Sequence, residues 1–216
     1  MIDDNDPIAS GRRRFLLALG ATSVAGCASP PGQANTAAAA GRTPSETEGP
    51  FYPLSWDGDV DENLIVLDDR QPYSPGIAMR LTGQVLRSDG SPAIGARVAI
   101  WQANHEGRYR HPDDAGEKPA QDGFQGYGQT RTDARGQYQF LTIKPTAYGS
   151  RPPHVHFRID DGNQRLTTQM YFPGETKEAG MLGRMAASLW ASDRSLLTAK
   201  IAETDNGLDA VFNLRL

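Results

Sequence analysis

From Met79 to Leu216 the chain alternates apolar and polar residues in short segments parted by turn signals, the mark of half-buried strands. Met79, Leu81, Gly83 and Val85 alternate up to Ser88-Asp89-Gly90-Ser91-Pro92, and the apolar run Ala96 to Trp101 follows. Asp89-Gly90 therefore reads as a hairpin tip. Tyr138 to Ile143 is a further strand, entered through Thr132-Asp133-Ala134-Arg135-Gly136. Val155, Phe157 and Ile159 alternate with His154, His156 and Arg158, then Asp160-Asp161-Gly162-Asn163 turns the chain into Leu166 to Phe172. Leu208 to Leu216 closes as a last alternating strand, and the one helical stretch expected lies around Gly183 to Ala199. The pattern predicts an all-β fold, an antiparallel β-sandwich with long loops and little helix.

The N-terminal residues carry a different signal. Gly11-Arg12-Arg13-Arg14-Phe15-Leu16 precedes an apolar run, Leu17 to Gly26, which ends at the chain's one cysteine, Cys27. A basic cluster before a short apolar stretch reads as an export signal, and the run is too short to span a bilayer. The paired arginines resemble a twin-arginine signal, a route that carries folded proteins and suits a protein metallated before export. Val24-Ala25-Gly26-Cys27 resembles a lipobox, in which Cys27 would be lipidated; a plain signal peptide cut nearby is the other reading. Either way the mature chain keeps no free thiol, so disulfide and thiolate chemistry are excluded. Residues 1–27 are thus expected to be the signal, 28–42 a Pro- and Ala-rich tether, and 43–216 the folded body. The expected location is the cell envelope, periplasmic or extracellular, with membrane contact only through the lipid.

With 216 residues, a formal charge of −4 and a pI near 5.6, nothing points to nucleic acid. Removing residues 1–26 takes away Asp3, Asp4 and Asp6 with Arg12, Arg13 and Arg14, so the charge is unchanged.

Chemistry concentrates in Arg151-Pro152-Pro153-His154-Val155-His156-Phe157. Residues i and i+2 of a strand share a face, so His154 and His156 stand side by side, with Cβ atoms roughly 6.5–7 Å apart. Two imidazoles at that spacing can converge on one metal; two polar residues on a solvated sheet face is the bland reading. A two-His-one-carboxylate iron(II) site favours H-x-D/E over the H-x-H found here. Tyr148 lies six residues before His154 on a Pro- and Gly-rich loop, and a phenolate is a hard anionic donor suited to a trivalent ion.

Longer runs carry a family likeness: Ser91-Pro92-Ala93-Ile94-Gly95-Ala96-Arg97-Val98-Ala99-Ile100-Trp101-Gln102-Ala103-Asn104, Gly107-Arg108-Tyr109-Arg110-His111, and Phe124-Gln125-Gly126-Tyr127-Gly128-Gln129. With Gly136 to Phe140, Arg151 to Phe157, Leu166 to Glu175 and the early Thr47-Glu48-Gly49-Pro50-Phe51-Tyr52-Pro53, the body resembles the intradiol ring-cleavage dioxygenases. It is most similar to the catalytic β subunits of the protocatechuate 3,4-dioxygenases. The resemblance implies a mononuclear non-haem iron(III) held by Tyr109, Tyr148, His154, His156 and a hydroxide. Two phenolates and a hydroxide would neutralise the ion. It further implies that a catechol-type substrate and O₂ yield a cis,cis-muconate-type product. Arg151 would stabilise developing negative charge, and Gln169 on the return strand would support the site.

Other residues read more plainly. His105 and His111 are loop histidines; Tyr138, Tyr127 and the three tryptophans, Trp56, Trp101 and Trp190, are packing; Tyr171 packs or lines the pocket. Phe51 and Tyr52 are candidates for its wall. Two competing readings are a non-catalytic transthyretin-like or carboxypeptidase-regulatory sandwich module, and a zinc or copper site on the histidine pair alone. Tyr109, Tyr148 and the R-P-P-H-V-H run argue against the first. A homodimer is the expected assembly.

Overall fold

A computed structural model describes residues 41–55, 60–65, 75–114, 123–149, 151–175 and 191–216. The expected export signal, Cys27, the tether up to residue 40, Trp56, Trp190 and the front of the expected helix lie outside them. The described residues belong to one compact unit.

Among the described residues nine strands, β1 (Ala78–Leu86), β2 (Arg97–Gln102), β3 (Tyr127–Arg131), β4 (Gln137–Ile143), β5 (His154–Asp161), β6 (Gln164–Tyr171), β7 (Lys200–Thr204), β8 (Gly207–Val211) and β9 (Leu214–Arg215), form two sheets. One runs β4-β1-β8-β7 with β9 also on β1; the other runs β3-β2-β5-β6. Among the described residues the single helix is α1 (Ala191–Leu196). The sandwich expected from the alternation is what forms, with Met79, Leu81 and Val85 of β1 and Phe140 of β4 facing Val98, Ile100, Val155, Phe157 and Ile159 across the core. Phe157 ties the layers, packing edge-on to Tyr138 at 5.9 Å and tilted against Phe212 at 5.2 Å. Each such buried aromatic or aliphatic side chain contributes about 1.5–3 kcal/mol.

Three details depart from the alternation. Asp89-Gly90 does cap a tight turn, closed by Arg87 N–H to Ser91 O (2.8 Å) and Ala93 N–H to Val85 O (3.0 Å). The strands it joins do not pair: β1 lies between β4 and β8, while β2 lies between β3 and β5, so the turn hands the chain to the other sheet. The first sheet is also not purely antiparallel, because β8 and β9 run parallel to β1. The C-terminal strand breaks at Phe212-Asn213, where Gln84 N–H donates to the Asn213 side chain (3.0 Å) instead of a backbone carbonyl. Such a break re-aims the chain as a bulge does. β3 and β7 are strands that the alternation did not predict.

The second sheet is buried on both faces. Its outer face is covered by residues 43–52, which begin against β9 (Thr43 N–H to Arg215 O, 3.0 Å) and pass β6 (Glu46 N–H to Thr167 O, 2.9 Å). The rings of Phe51 and Tyr52 then lie over that face.

At the break in β8–β9, Gly83 faces the Phe212 carbonyl so closely that an added Cβ would stand 1.9 Å from its oxygen. That carbonyl also accepts the Tyr138 hydroxyl at 2.6 Å, so it cannot swing away. Gly83→Ala is expected to destabilise the fold by about 3 kcal/mol, at the upper end of overpacking costs, read as a lowered urea midpoint with an unchanged slope.

Candidate metal centre

Strand alternation sets the first two donors. Val155, Phe157 and Ile159 point into the core, and His154 and His156 share the covered outer face, each 3% exposed. Their Nε2 atoms are 3.1 Å apart. Tyr109 Oη, from the loop after β2, lies 3.1 Å from each of them. Three donor atoms thus form a triangle of equal edges, buried from water. An ion about 2.1 Å from each corner would see near-right angles between them, so the triangle fits one face of a first-row metal's coordination shell. Among the described residues no three His, Cys, Asp or Glu side chains gather at metal spacing, so a site here needs the phenol.

The histidines are held neutral and differently oriented. His154 Nδ1–H donates to Pro152 O at 2.8 Å, which leaves the Nε2 lone pair aimed at the triangle. His156 stacks on the indole of its cross-strand neighbour Trp101, with rings 4.8 Å apart and 10° from parallel. Burial pushes His154 down to about 4 and His156 down to about 2, the latter further lowered by His154 and by the Arg151 cation. Burial pushes the Tyr109 phenol up, so without a cation it stays protonated. A bound trivalent ion would reverse that, as metal charge lowers the pKa of coordinated oxygen.

Tyr109 is delivered by a braced loop. Asn104 Oδ1 accepts the N–H groups of Glu106 and Arg108, both at 2.9 Å. The Tyr109 N–H donates to Asp114 Oδ2 at 2.6 Å, and Asp114 pairs with Arg108 at 3.2 Å. The same loop holds the second tyrosine loop: Thr146 N–H donates to Asn104 O (3.3 Å), and the Thr146 hydroxyl to His105 O (2.6 Å). Where β2 and β4 release these loops, buried Gln102 joins them, donating to Ile143 O (2.9 Å) and accepting from the Thr142 hydroxyl (2.9 Å).

Tyr148 stands beside the triangle rather than in it. Its ring packs edge-on to Tyr109 at 5.3 Å and to Phe51 at 5.2 Å, and its hydroxyl makes no hydrogen bond to the three donors. The ring is only partly buried; burial and the Asp114 charge push its phenol up while Arg108 lowers it. Arg151 donates to Gln169 Oε1 (2.5 Å) and the Tyr171 hydroxyl (3.2 Å), and Gln169 donates to Thr47 O (2.8 Å). Gln169 and Tyr171 are the cross-strand partners of His156 and His154, so this group borders the donors.

Phe51 stacks on Tyr109 at 4.7 Å and Tyr52 meets Trp101 edge-on at 5.0 Å, making both of them walls of the site. Trp101 is not merely packing, since its face lies on a candidate ligand. His105 sits in the Tyr109 loop, and His111 is buried beside Phe51 without joining the triangle. Tyr138 is core, donating to Phe212 O. Asn104, Gln102 and Asp114 escaped the sequence reading as functional residues. For Gln102 the signal was a polar residue at the end of a buried strand; Asn104 and Asp114 lie in the loop beyond it, where no pattern marks them.

With this geometry in view, residues 47–216 match the family model described as "Dioxygenase". The chain belongs to that family, the intradiol ring-cleavage dioxygenases. It is 40% identical over 135 residues to the protocatechuate 3,4-dioxygenase beta chain of Burkholderia cepacia, covering 58% of this chain and 57% of that one. It is 33% identical over 154 residues to catechol 1,2-dioxygenase 2 of Acinetobacter lwoffii, covering 62% and 53% respectively. The chain thus spans a little over half the length of these curated relatives. Among solved structures, the dioxygenase domain of a dioxygenase carbohydrate-binding protein fusion from Streptomyces sp. SirexAA-E superposes with a TM-score of 0.63 at 26% identity. It covers 82% of this chain and 98% of that one. Catechol 1,2-dioxygenase from Pseudomonas arvilla C-1 gives 0.59 at 28% identity, covering 81% and 62%. Membership removes the reading of a non-catalytic sandwich module.

Gly107, at a φ of 79°, allows the two tyrosine loops to touch: a Cβ there would meet Ala147 O at 2.6 Å. Gly107→Ala is strained by both its backbone and this contact. It should push the loops apart and lower metal affinity at least about tenfold, measured by metal titration, with only a modest change in melting temperature. The metal-free protein should also weaken on acidification. In the unfolded chain the histidines take up protons near pH 6.5, whereas in the fold His154 does so only near 4 and His156 near 2. Stability is therefore full above about 6.5 and falls as pH drops towards 4. Denaturation midpoints between pH 7 and 4.5 should show this slope, and the double variant His154→Asn, His156→Asn should flatten it.

Proposed function

We propose that the protein is a mononuclear non-haem iron(III) enzyme that opens a catechol-type ring between its hydroxyl-bearing carbons, using O₂ and yielding a cis,cis-muconate-type product. The observation that carries this reading is the buried triangle of Tyr109 Oη, His154 Nε2 and His156 Nε2, all 3.1 Å apart. Tyr148, one ring away, is the fourth ligand on this reading. Two phenolates and two neutral imidazoles suit a hard trivalent ion and leave one positive charge for hydroxide or substrate oxygen to cancel. Iron(III), when bound, supplies the Lewis acidity that holds a catechol as its oxyanion and drains electron density from the ring.

The chain's own residues do the rest. Tyr109 is enclosed and braced by Asp114, which suits a permanent ligand. Tyr148 is half-open, which suits the ligand that gives way to a substrate oxygen and takes its proton. Arg151, its guanidinium oriented by Gln169 and Tyr171, offers a fixed positive charge next to the histidines for negative charge that builds on the substrate. Phe51, Tyr52, Trp101 and Tyr127 pack as an aromatic surround against the donors and exclude water from them. The basic cluster before residue 15 and Val24-Ala25-Gly26-Cys27 support work on envelope or extracellular phenolics, with Cys27 as the lipid attachment point.

Loading the purified protein with iron(III) should give a red-brown tyrosinate charge-transfer band that shifts when catechol is added, with O₂ consumed mole for mole. Tyr148→Phe should move the band and reduce kcat/KM by about 10²-fold or more, with the fold intact. A colourless iron-loaded protein that consumes no O₂ would overturn the assignment, and an unchanged Tyr148→Phe spectrum would remove that ligand from it.

A further inference from the structure

The two histidines of the triangle are secured by different means. A metal-binding imidazole normally donates its second N–H to a carbonyl or carboxylate, which sets the ring's plane. His154 does so through Pro152. His156 Nδ1 is equally buried and has no hydrogen-bond partner. Something else must stop this ring from turning about its Cβ–Cγ bond.

Besides the His154 ring, 4.8 Å away and at 70°, three contacts enclose it. Trp101 lies flat on one face, 4.8 Å away and 10° from parallel. The Gly49 backbone closes the rim so tightly that a Cβ there would be 3.2 Å from His156 Cε1. Tyr109 meets the ring at 5.9 Å and 61°. Trp101 is itself backed by Tyr52 at 5.0 Å and 88°, and Arg158 lies 5.0 Å over the Tyr52 ring. The indole is 1% exposed and its Nε1–H has no hydrogen-bond partner. Burying an unsatisfied donor costs about 1–3 kcal/mol, so a fold that needed only apolar volume here would be served better by phenylalanine.

We propose that Trp101 is a positioning residue, an aromatic splint that sets the ring plane of His156 in place of the missing hydrogen bond. The inference rests on the reading of His156 as an iron ligand. Rotation of a planar ligand changes its overlap with the metal, so loss of the splint should appear in the spectrum before it appears in stability.

The test compares iron(III)-loaded full-length wild type, Trp101→Met, Trp101→Phe and Tyr52→Leu by low-temperature EPR, visible absorption, iron titration and thermal melting. Methionine keeps an apolar side chain of part of that bulk without a flat face. Trp101→Met should broaden or shift the high-spin iron signal and weaken iron binding about tenfold. Trp101→Phe should restore most of both, and Tyr52→Leu should show a smaller change in the same direction. A folded Trp101→Met with wild-type EPR and affinity overturns the proposal, as does a Trp101→Phe as disturbed as Trp101→Met. If Trp101→Met does not fold, Tyr52→Leu decides, and a wild-type signal there overturns it. A wild type with no tyrosinate band on iron loading instead overturns the functional reading itself.

Discussion

The structure turns on the desolvation of three ligating atoms at one point. Two imidazole nitrogens and a phenol oxygen meet at 3.1 Å in a place water does not reach. Each would be better solvated apart. Holding them together requires rigid walls, and most of the second sheet's outer face is devoted to that. The electrostatics follow from the same fact: burial keeps the histidines neutral and the phenol protonated, a set that gains most from a small, highly charged cation.

The donors converge because both sheets release their loops at the same end. β2 leads to Tyr109 and β4 to Tyr148, and Gln102 bonds the two strand ends across the sandwich before the loops diverge. Asn104 then bonds within one loop and to the other. The tyrosines therefore sit on one cross-linked unit, while the histidines sit on a strand hydrogen-bonded on both sides. Rigid elements with buried polar stitches give the precision that a ligand set demands.

Much of this was legible in the residues. Period-two alternation sorts His154 and His156 from Val155, Phe157 and Ile159, and the strands around Tyr138 and Leu166 read directly. Tyr109 was reachable only through family resemblance, since no local pattern links it to β5 across 45 residues. Alternation also could not show that Asp89-Gly90 joins strands of different sheets, because a tight turn looks the same whether or not its arms stay paired. Nor could it reveal the parallel pairing of β8 and β9, which depends on where the chain's end finds a free edge. The covering of the histidine face was anticipated only at Phe51 and Tyr52, and only through the family resemblance, for a related reason. It comes from residues 43–52, which have no alternation of their own and take their shape from what they cover.

That covering segment has a kinetic consequence. Thr43, near the start of the body, exchanges two hydrogen bonds with Arg215 of β9, 172 positions further along the chain. The segment then continues to Gly49 and Phe51, which close over His156 and Tyr109. Contacts of such sequence separation form late and slowly, because the loop entropy is lost before they reward it. Closure of the covering segment therefore awaits the strand that carries Arg215, so the site is among the last parts of the fold to take shape.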